Sequence, residues 1–361
     1  MHSRDFVKPD GRYLILYGRE PIEVRGPIPS PFTEPLVAEP HLRWHPLRGE
    51  WIAYASHRQN RTFLPPPEYN PLGPTLDPSD PTELPDGHYD VAVFANRFPA
   101  LTADSAHAPT VGVPSRPARG ACEVVVFTRD PQQSLGRLPV DEIAGILEVL
   151  GERTHELGTR PDVAYVMPFE NRGAEIGATI HHPHGQIYAY PIVPPIPANE
   201  LANQRYYFER VGRGLLEDFI ASDTADGERT LYASDAAVAF VPSCARYTYE
   251  AWIAPRKAAA YLHSLDPTIR RECARALKTT LLAYDGLWNR PMPYLLIFHQ
   301  APTDGLSHPE AHVHIEIYPA YRTRDRLKYL AGTEMGAGFF TSDSLPEAKA
   351  AELRAVEVAL E

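Results

Sequence analysis

A chain of 361 residues, 43% of them hydrophobic, is long enough to bury one large core or two ordinary ones. Its formal charge of −11 argues against nucleic acid or an anionic membrane surface as partner, and an anionic small substrate would need local Arg, Lys and backbone donors to offset that field. The three cysteines, Cys122, Cys244 and Cys273, are scattered; they offer no disulfide framework and fit a reducing cytoplasm. No apolar run reaches the roughly 20 residues of a membrane span, and residues 1–10 are polar, without a signal-peptide core.

Residues 1–40 combine a short strand candidate at 13–17 with Pro-rich coil and read as an arm over the surface. Residues 42–55 read as strand, Gly49 turn and strand, hence a hairpin. Arg58 and Arg61 follow, three apart, suited to grip a diphosphate or else ordinary surface arginines. Residues 64–89 form a Pro/Asp-rich loop whose length implies a structural or binding task. A strand at 91–96 carries Phe94 and Asn96, and the β-branched run at 122–127 is expected to be a buried central strand. A helix starts at Leu138, with Ile143, Ile146, Leu147 and Leu150 at helical spacing. A strand at 165–169 leads into a Gly-rich loop, and another follows at 187–190.

The second half repeats this order: strands at 236–241 and 250–255, a helix from Leu265 carrying Ile269, Cys273, Leu277 and Leu281, then strands at 294–299 and 312–319. Leu138 precedes His182 by 44 residues and Leu265 precedes His312 by 47, and both segments end in an H-x-H outline closing on Tyr-Pro. This predicts an internal duplication: an α+β fold of two strand–helix–strand halves in one large, mainly antiparallel sheet with helices packed on one side. The division expected is an arm at 1–40, a first half at 41–200 and a second at 201–361.

Between the Gly-rich loop and its strand lies His182-Pro183-His184-Gly185-Gln186. Pro183 biases His182 toward an extended backbone, and alternation then puts His182 and His184 on one face. Two imidazoles and an amide beside a Gly-lined loop suit attack on phosphorus, with neighbours holding the non-bridging oxygens. An isolated H-x-H is more often packed or metal-bound.

The run from Asn171 to Gln186 resembles the active-site loop of galactose-1-phosphate uridylyltransferases, the transferase branch of the histidine-triad superfamily, and the likeness extends over about residues 43–353. The resemblance implies histidine-triad-like halves in a half-barrel sheet. It implies that His184 attacks the α-phosphorus of UDP-glucose, giving a uridylyl-histidine and glucose 1-phosphate. Galactose 1-phosphate then takes the uridylyl group, a ping-pong step of galactose metabolism (the Leloir pathway). Gln186 matches the glutamine that donates to phosphate oxygen, and His182 stands beside the nucleophile. Asn171, Gly177 and Thr179 match positions lining the diphosphate, Arg58 and Arg61 the phosphate arginines, Phe94 and Asn96 the uridine pocket. Lys328, Tyr329, Ala331, Thr333 and Glu334 fall in the segment that recognises the hexose phosphate and reaches the partner subunit's site, which implies a homodimer. Thr333 stands where Tyr is frequent, and Phe340 falls near an expected Gln, so the acceptor sugar stays open.

His312 and His314 on one strand and His299 on its neighbour form a metal pocket more readily than a second catalytic centre, or else three hydrogen-bonded histidines. The family places a completing carboxylate at Glu200. One divalent metal, Zn or Fe, is therefore expected at Glu200, His299, His312 and His314. A further family zinc site near the nucleophile uses a cysteine pair, a His and the first His of His-Pro-His. Here the pair is replaced by Asn70-Pro71-Leu72-Gly73 and the further His falls near Pro131, so that site is expected to be absent, with His182 bonded to backbone or phosphate. Two rivals remain at this point: a phosphorylase or adenylyltransferase of the same superfamily using ADP-glucose and phosphate, and a metal-stabilised relative without turnover.

Overall fold

A computed structural model describes residues 1–60, 65 and 69–360. Its centre is an open sheet of eleven antiparallel strands: β1 (His2–Val7), β2 (Tyr13–Gly18), β3 (Val91–Ala95), β4 (Ala121–Val126), β5 (Tyr165–Arg172), β6 (His184–Tyr190), β7 (Thr230–Ala233), β8 (Ala237–Phe240), β9 (Ala251–Pro255), β10 (Tyr294–His299) and β11 (His314–Pro319). Their spatial order is β1-β2-β3-β4-β6-β5-β10-β11-β9-β8-β7. The order is a mirror: β3-β4-β6-β5 of the first half is answered by β8-β9-β11-β10 of the second, and the two halves meet where β5 pairs with β10. The expected duplication is therefore built into the hydrogen-bond ladder.

Register makes the symmetry residue-specific. One cross-strand row runs Phe94, Val124, Gln186, Phe169, Ile297, Glu316, Trp252, Phe240. Its midpoint falls between Phe169 and Ile297, so Gln186 and Glu316 are equivalent positions.

Two long helices, α1 (Val140–Gly158) and α4 (Pro267–Leu287), cover one face and touch each other. Helix α1 buries Ile143, Ile146, Leu147 and Leu150, and keeps Asp141 and Glu142 in its first turn where the dipole favours them. Helix α4 starts on Asp266, which accepts from the N–H of Ile269 at 2.9 Å, with Pro267 at the first position. Both pack onto inward residues such as Val125, Ile187, Ile253, Leu296 and Ile317 in one core. On the other face, Leu72, Leu84 and Tyr89 pack on Leu14, Leu16, Ala92, Phe94 and Val126 in the first half, and the stretch over His184–Tyr190 is left open. Over the second half α3 (Leu215–Asp223), which follows α2 (Pro195–Val211), buries Leu216 and Ile220 against Val238 and Phe240. The expected hairpin is present as His41–His45 and Glu50–Tyr54, in a separate small sheet with Ser115–Pro117.

The first 18 residues are not a surface arm. They form the β1–β2 hairpin at one edge of the large sheet, with Leu14 and Leu16 fully buried. A buried charge cluster fixes its turn: Lys8 bonds Glu83, while Arg12 reaches Asp10 at 2.7 Å and Glu83 at 2.8 Å. Removing one partner of such a set strands a buried charge. Arg12→Met is expected to cost on the order of 3 kcal/mol in chemical denaturation; unchanged stability would return residues 1–18 to a peripheral role.

Candidate active site and metal centre

Strand β6 begins at His184, so alternation starts there and not at His182. Side chains 184, 186, 188 and 190 are half-buried on the open face, while Gly185, Ile187 and Ala189 are buried beneath them. Gly185 is required by space: a Cβ there would lie 2.7 Å from the ring of Phe127 and 3.0 Å from the carbonyl oxygen of Phe169.

The ring of His184 is held by one hydrogen bond, Nδ1 to the carbonyl oxygen of His182 at 2.7 Å. A carbonyl only accepts, so the proton sits on Nδ1 and Nε2 carries the lone pair. Burial lowers the pKa of His184 below its ordinary value, outweighing the carbonyl contact that raises it, and the ring is neutral at neutral pH.

His184 lines a cavity of about 420 Å³ on the open face. Arg58, Phe94, Asn96, Asn171, Gly177, Thr179 and Gln186 line the same cavity, so the structure gathers these expected residues from five separate segments. Arg58 is anchored through Nη1, which donates to the carbonyl of Phe98 at 2.7 Å and the hydroxyl of Tyr188 at 3.2 Å. Asn96 accepts the N–H of Phe98 through Oδ1 at 2.8 Å, which leaves its amide NH₂ for a ligand. Gly177 adopts a left-handed conformation, φ +82°, closing the short turn at Ala174–Ile176 that carries Thr179 over the cavity. Arg61 lies outside the described residues.

Phe169, Tyr188, Tyr69 and Arg97 also line the cavity, and sequence reasoning missed them. For two of these the signal was present: Phe169 stands two residues before Asn171 on β5, and Tyr188 two after Gln186 on β6. Period-two alternation places both on the same face.

His182, expected beside the nucleophile and bonded to backbone or phosphate, bonds to backbone and stands outside the cavity lining. It precedes the strand, is only 3% exposed and does not line the cavity. Its Nε2 meets the carbonyl of Thr128 at 2.7 Å, and its Nδ1 meets the side-chain amide of Asn70 at 2.8 Å. What it offers His184 is its backbone carbonyl.

Lys328, Tyr329, Ala331, Thr333 and Glu334 do not line this cavity either. They fold back on the second half: Lys328 donates to the carbonyl of Thr341 at 3.0 Å, lies 5.9 Å from the ring centre of Tyr247, and sits 3.9 Å from Glu334. Thr333 donates to the carbonyl of Phe339 at 3.1 Å, and Glu334 accepts the N–H of Ala331 at 3.1 Å. Tyr329, Met335 and Phe339 stand exposed along this segment.

Across the pseudo-two-fold, Glu200 on α2, His299 on β10 and His314 on β11 bring one ligand atom each within 4.8 Å of the others. Glu200 Oε2 lies 2.8 Å from Nδ1 of His299. His312 is not in this group among the described residues. Like His182, it precedes its strand; its Nε2 donates to the carbonyl of Pro255 at 2.8 Å, and its Nδ1 is buried with no hydrogen-bond partner. Both ring nitrogens of His299 are buried without a hydrogen bond as well. Orphaned buried imidazole nitrogens beside a carboxylate are what a bound divalent metal would satisfy, so the residues fit the group. Strands β6 and β11 are separated by β5 and β10, about 14 Å at the usual strand spacing. A metal there would tie α2 to the sheet without reaching a ligand at His184.

The family models for galactose-1-phosphate uridyl transferase match this chain in both parts, the N-terminal domain over residues 32–194 and the C-terminal domain over residues 200–360. The fold and site thus define a transferase built on one large antiparallel sheet of two repeated halves. The chain belongs to the galactose-1-phosphate uridylyltransferase family. The galactose-1-phosphate uridylyltransferase of Thermotoga maritima is 34% identical over 88% of this chain and 98% of its own, and that of Streptomyces lividans 35% identical over 81% and 79%. A solved structure described as a uridylyltransferase superposes with a TM-score of 0.76 at 32% identity, covering 87% of this chain and 97% of that one.

Elemental analysis of the purified chain is expected to find one divalent transition metal, lost in His314→Ala. At a metal concentration 100 times its Kd, chelation should lower stability by about 2.7 kcal/mol. A metal-free chain of full stability would refute the assignment.

Proposed function

We propose that this enzyme transfers a uridylyl group between UDP-glucose and galactose 1-phosphate through a covalent adduct on His184. The observation that carries the reading is the tautomer: Nδ1 is committed to the His182 carbonyl, so Nε2 offers its lone pair to a cavity-bound phosphorus. Attack on the α-phosphorus forms an N–P bond and breaks the bridging P–O bond, releasing glucose 1-phosphate. The ring becomes cationic as the bond forms, and the His182 carbonyl, already accepting from Nδ1–H, stabilises that charge. Gln186, two residues on and on the same face, donates to a non-bridging oxygen, and Arg58 with the Gly177–Thr179 turn meets the remaining phosphate charge. A phosphate oxygen of the second sugar phosphate then attacks the same phosphorus and restores the free imidazole. Phe94 and Asn96 hold the base.

Lys328, Tyr329, Ala331, Thr333 and Glu334 fit the hexose 1-phosphate in a neighbouring subunit of a homodimer. Their distance from their own chain's cavity lining and the exposed apolar side chains beside them support that reading. Zn²⁺ or Fe²⁺ at Glu200, His299 and His314 would supply a cross-link and no step of the reaction.

Brief exposure to UDP-glucose labelled in the uridylyl group should leave one label per chain, and His184→Gly should carry none, with turnover lost by on the order of 10⁴-fold or more. A wild-type chain without label, or one that takes label from ADP-glucose and passes it to inorganic phosphate, would overturn the reading. Because burial holds His184 below its ordinary pKa, the labelling rate should fall on acidification with a midpoint below that of a free imidazole, about 6.5. A decline already centred near 7 would contradict this.

A further inference from the structure

We infer that Asn70 is a positioning residue for the nucleophile, acting on His184 through the ring of His182. The inference rests on the proposed role of His184. Asn70 stands in a tight turn, its backbone carbonyl accepting from the N–H of Gly73 at 3.1 Å and its Oδ1 from the N–H of Leu72 at 3.2 Å. With Oδ1 engaged, the end that meets Nδ1 of His182 at 2.8 Å is Nδ2, which can only donate. The Nδ1 of His182 is therefore an acceptor and its proton sits on Nε2, where it donates to the Thr128 carbonyl at 2.7 Å. Two contacts at opposite ends of one ring demand the same tautomer.

The consequence passes down the main chain. A buried ring clamped between the Asn70 turn and the Thr128 loop fixes the backbone of His182, and its carbonyl is the acceptor that orients His184. The N–H of Phe127 reinforces the clamp by donating to the Pro183 carbonyl at 3.2 Å. Without the Asn70 donor the Thr128 carbonyl still keeps the proton on Nε2, but the buried Nδ1 loses its partner and the ring is held from one side only. A ring free to tilt toward a new donor for Nδ1 moves the backbone carbonyl that holds the nucleophile.

The second half provides an internal comparison. His312 repeats both other contacts, Nε2 to the carbonyl of Pro255 and its own carbonyl to Nδ1 of His314 at 2.9 Å, yet no amide meets its Nδ1. The clamp by a side-chain amide belongs to the half that carries the nucleophile.

Asn70→Asp tests this with almost no change of shape, since a carboxylate cannot donate and the ring must take a second proton to keep both contacts. Nitrogen-15 spectra of histidine-labelled protein should show His182 neutral with its proton on Nε2 in the wild type, and doubly protonated near neutral pH in Asn70→Asp. The single-turnover rate of labelling from UDP-glucose should fall about 10- to 100-fold in Asn70→Asp and Asn70→Ala, with affinity for UDP-glucose changed less than about twofold. Asn70→Asp labelled at the wild-type rate would overturn the proposal, as would a loss confined to affinity or to the unfolded fraction. A wild-type chain that takes no label overturns the nucleophile reading itself, so the two failures are told apart.

Discussion

A single hydrogen bond, from Nδ1 of His184 to the carbonyl of His182, sets what the open face can do. It fixes which ring nitrogen carries the lone pair and holds in place an imidazole that lines the cavity. The bond exists because Pro183 holds the chain extended just before β6 begins and because Gly185 lets that strand lie close to Phe127 and β5. Shift the start of the strand by one residue and the imidazole would be driven into the helix-covered core.

The same bond is repeated at His314 and His312, so the two halves share a scaffold and differ in what they hang on it. At the positions related by the mirror row, the first half has Gln186, a neutral donor suited to phosphate oxygen. The second has Glu316, whose carboxylate lies 3.6 Å from Nε2 of both His299 and His314 and 3.3 Å from Arg246. A carboxylate there repels a phosphate and attracts a cation. One change of side chain, with Glu200 brought in by α2, separates a pocket suited to an anion from a group that could hold a metal.

Much of this was legible in the residues. The helices announced themselves by spacing, and the strands by apolar runs with turns between. The H-x-H outlines exposed the duplication, and hence one antiparallel sheet shared by two halves. The roles of His182 and His312 were less legible, because alternation was applied two residues too early: each precedes its strand and obeys loop geometry instead. The β1–β2 edge was hidden for another reason. An edge strand such as His2–Val7 is exposed along most of its length and has no burial pattern to betray it. Glu83 is far in sequence from Lys8 and Arg12, and nothing in a charged residue's neighbours says that it will be buried against a charge from another loop.

The seam between the halves has a consequence for how the molecule is made. Strand β5 pairs on one side with β6, close by in sequence, and on the other with β10, whose first residue, Tyr294, follows Arg172 by some 120 residues. On a ribosome the first half emerges with that long strand edge bare, and only the arrival of β10 closes it. Until then the nascent chain presents an open ladder to its neighbours, and a second copy's β10 is as good a mate as its own. The symmetry that makes the sheet continuous thus makes exchange of halves between copies the natural misassembly of this fold.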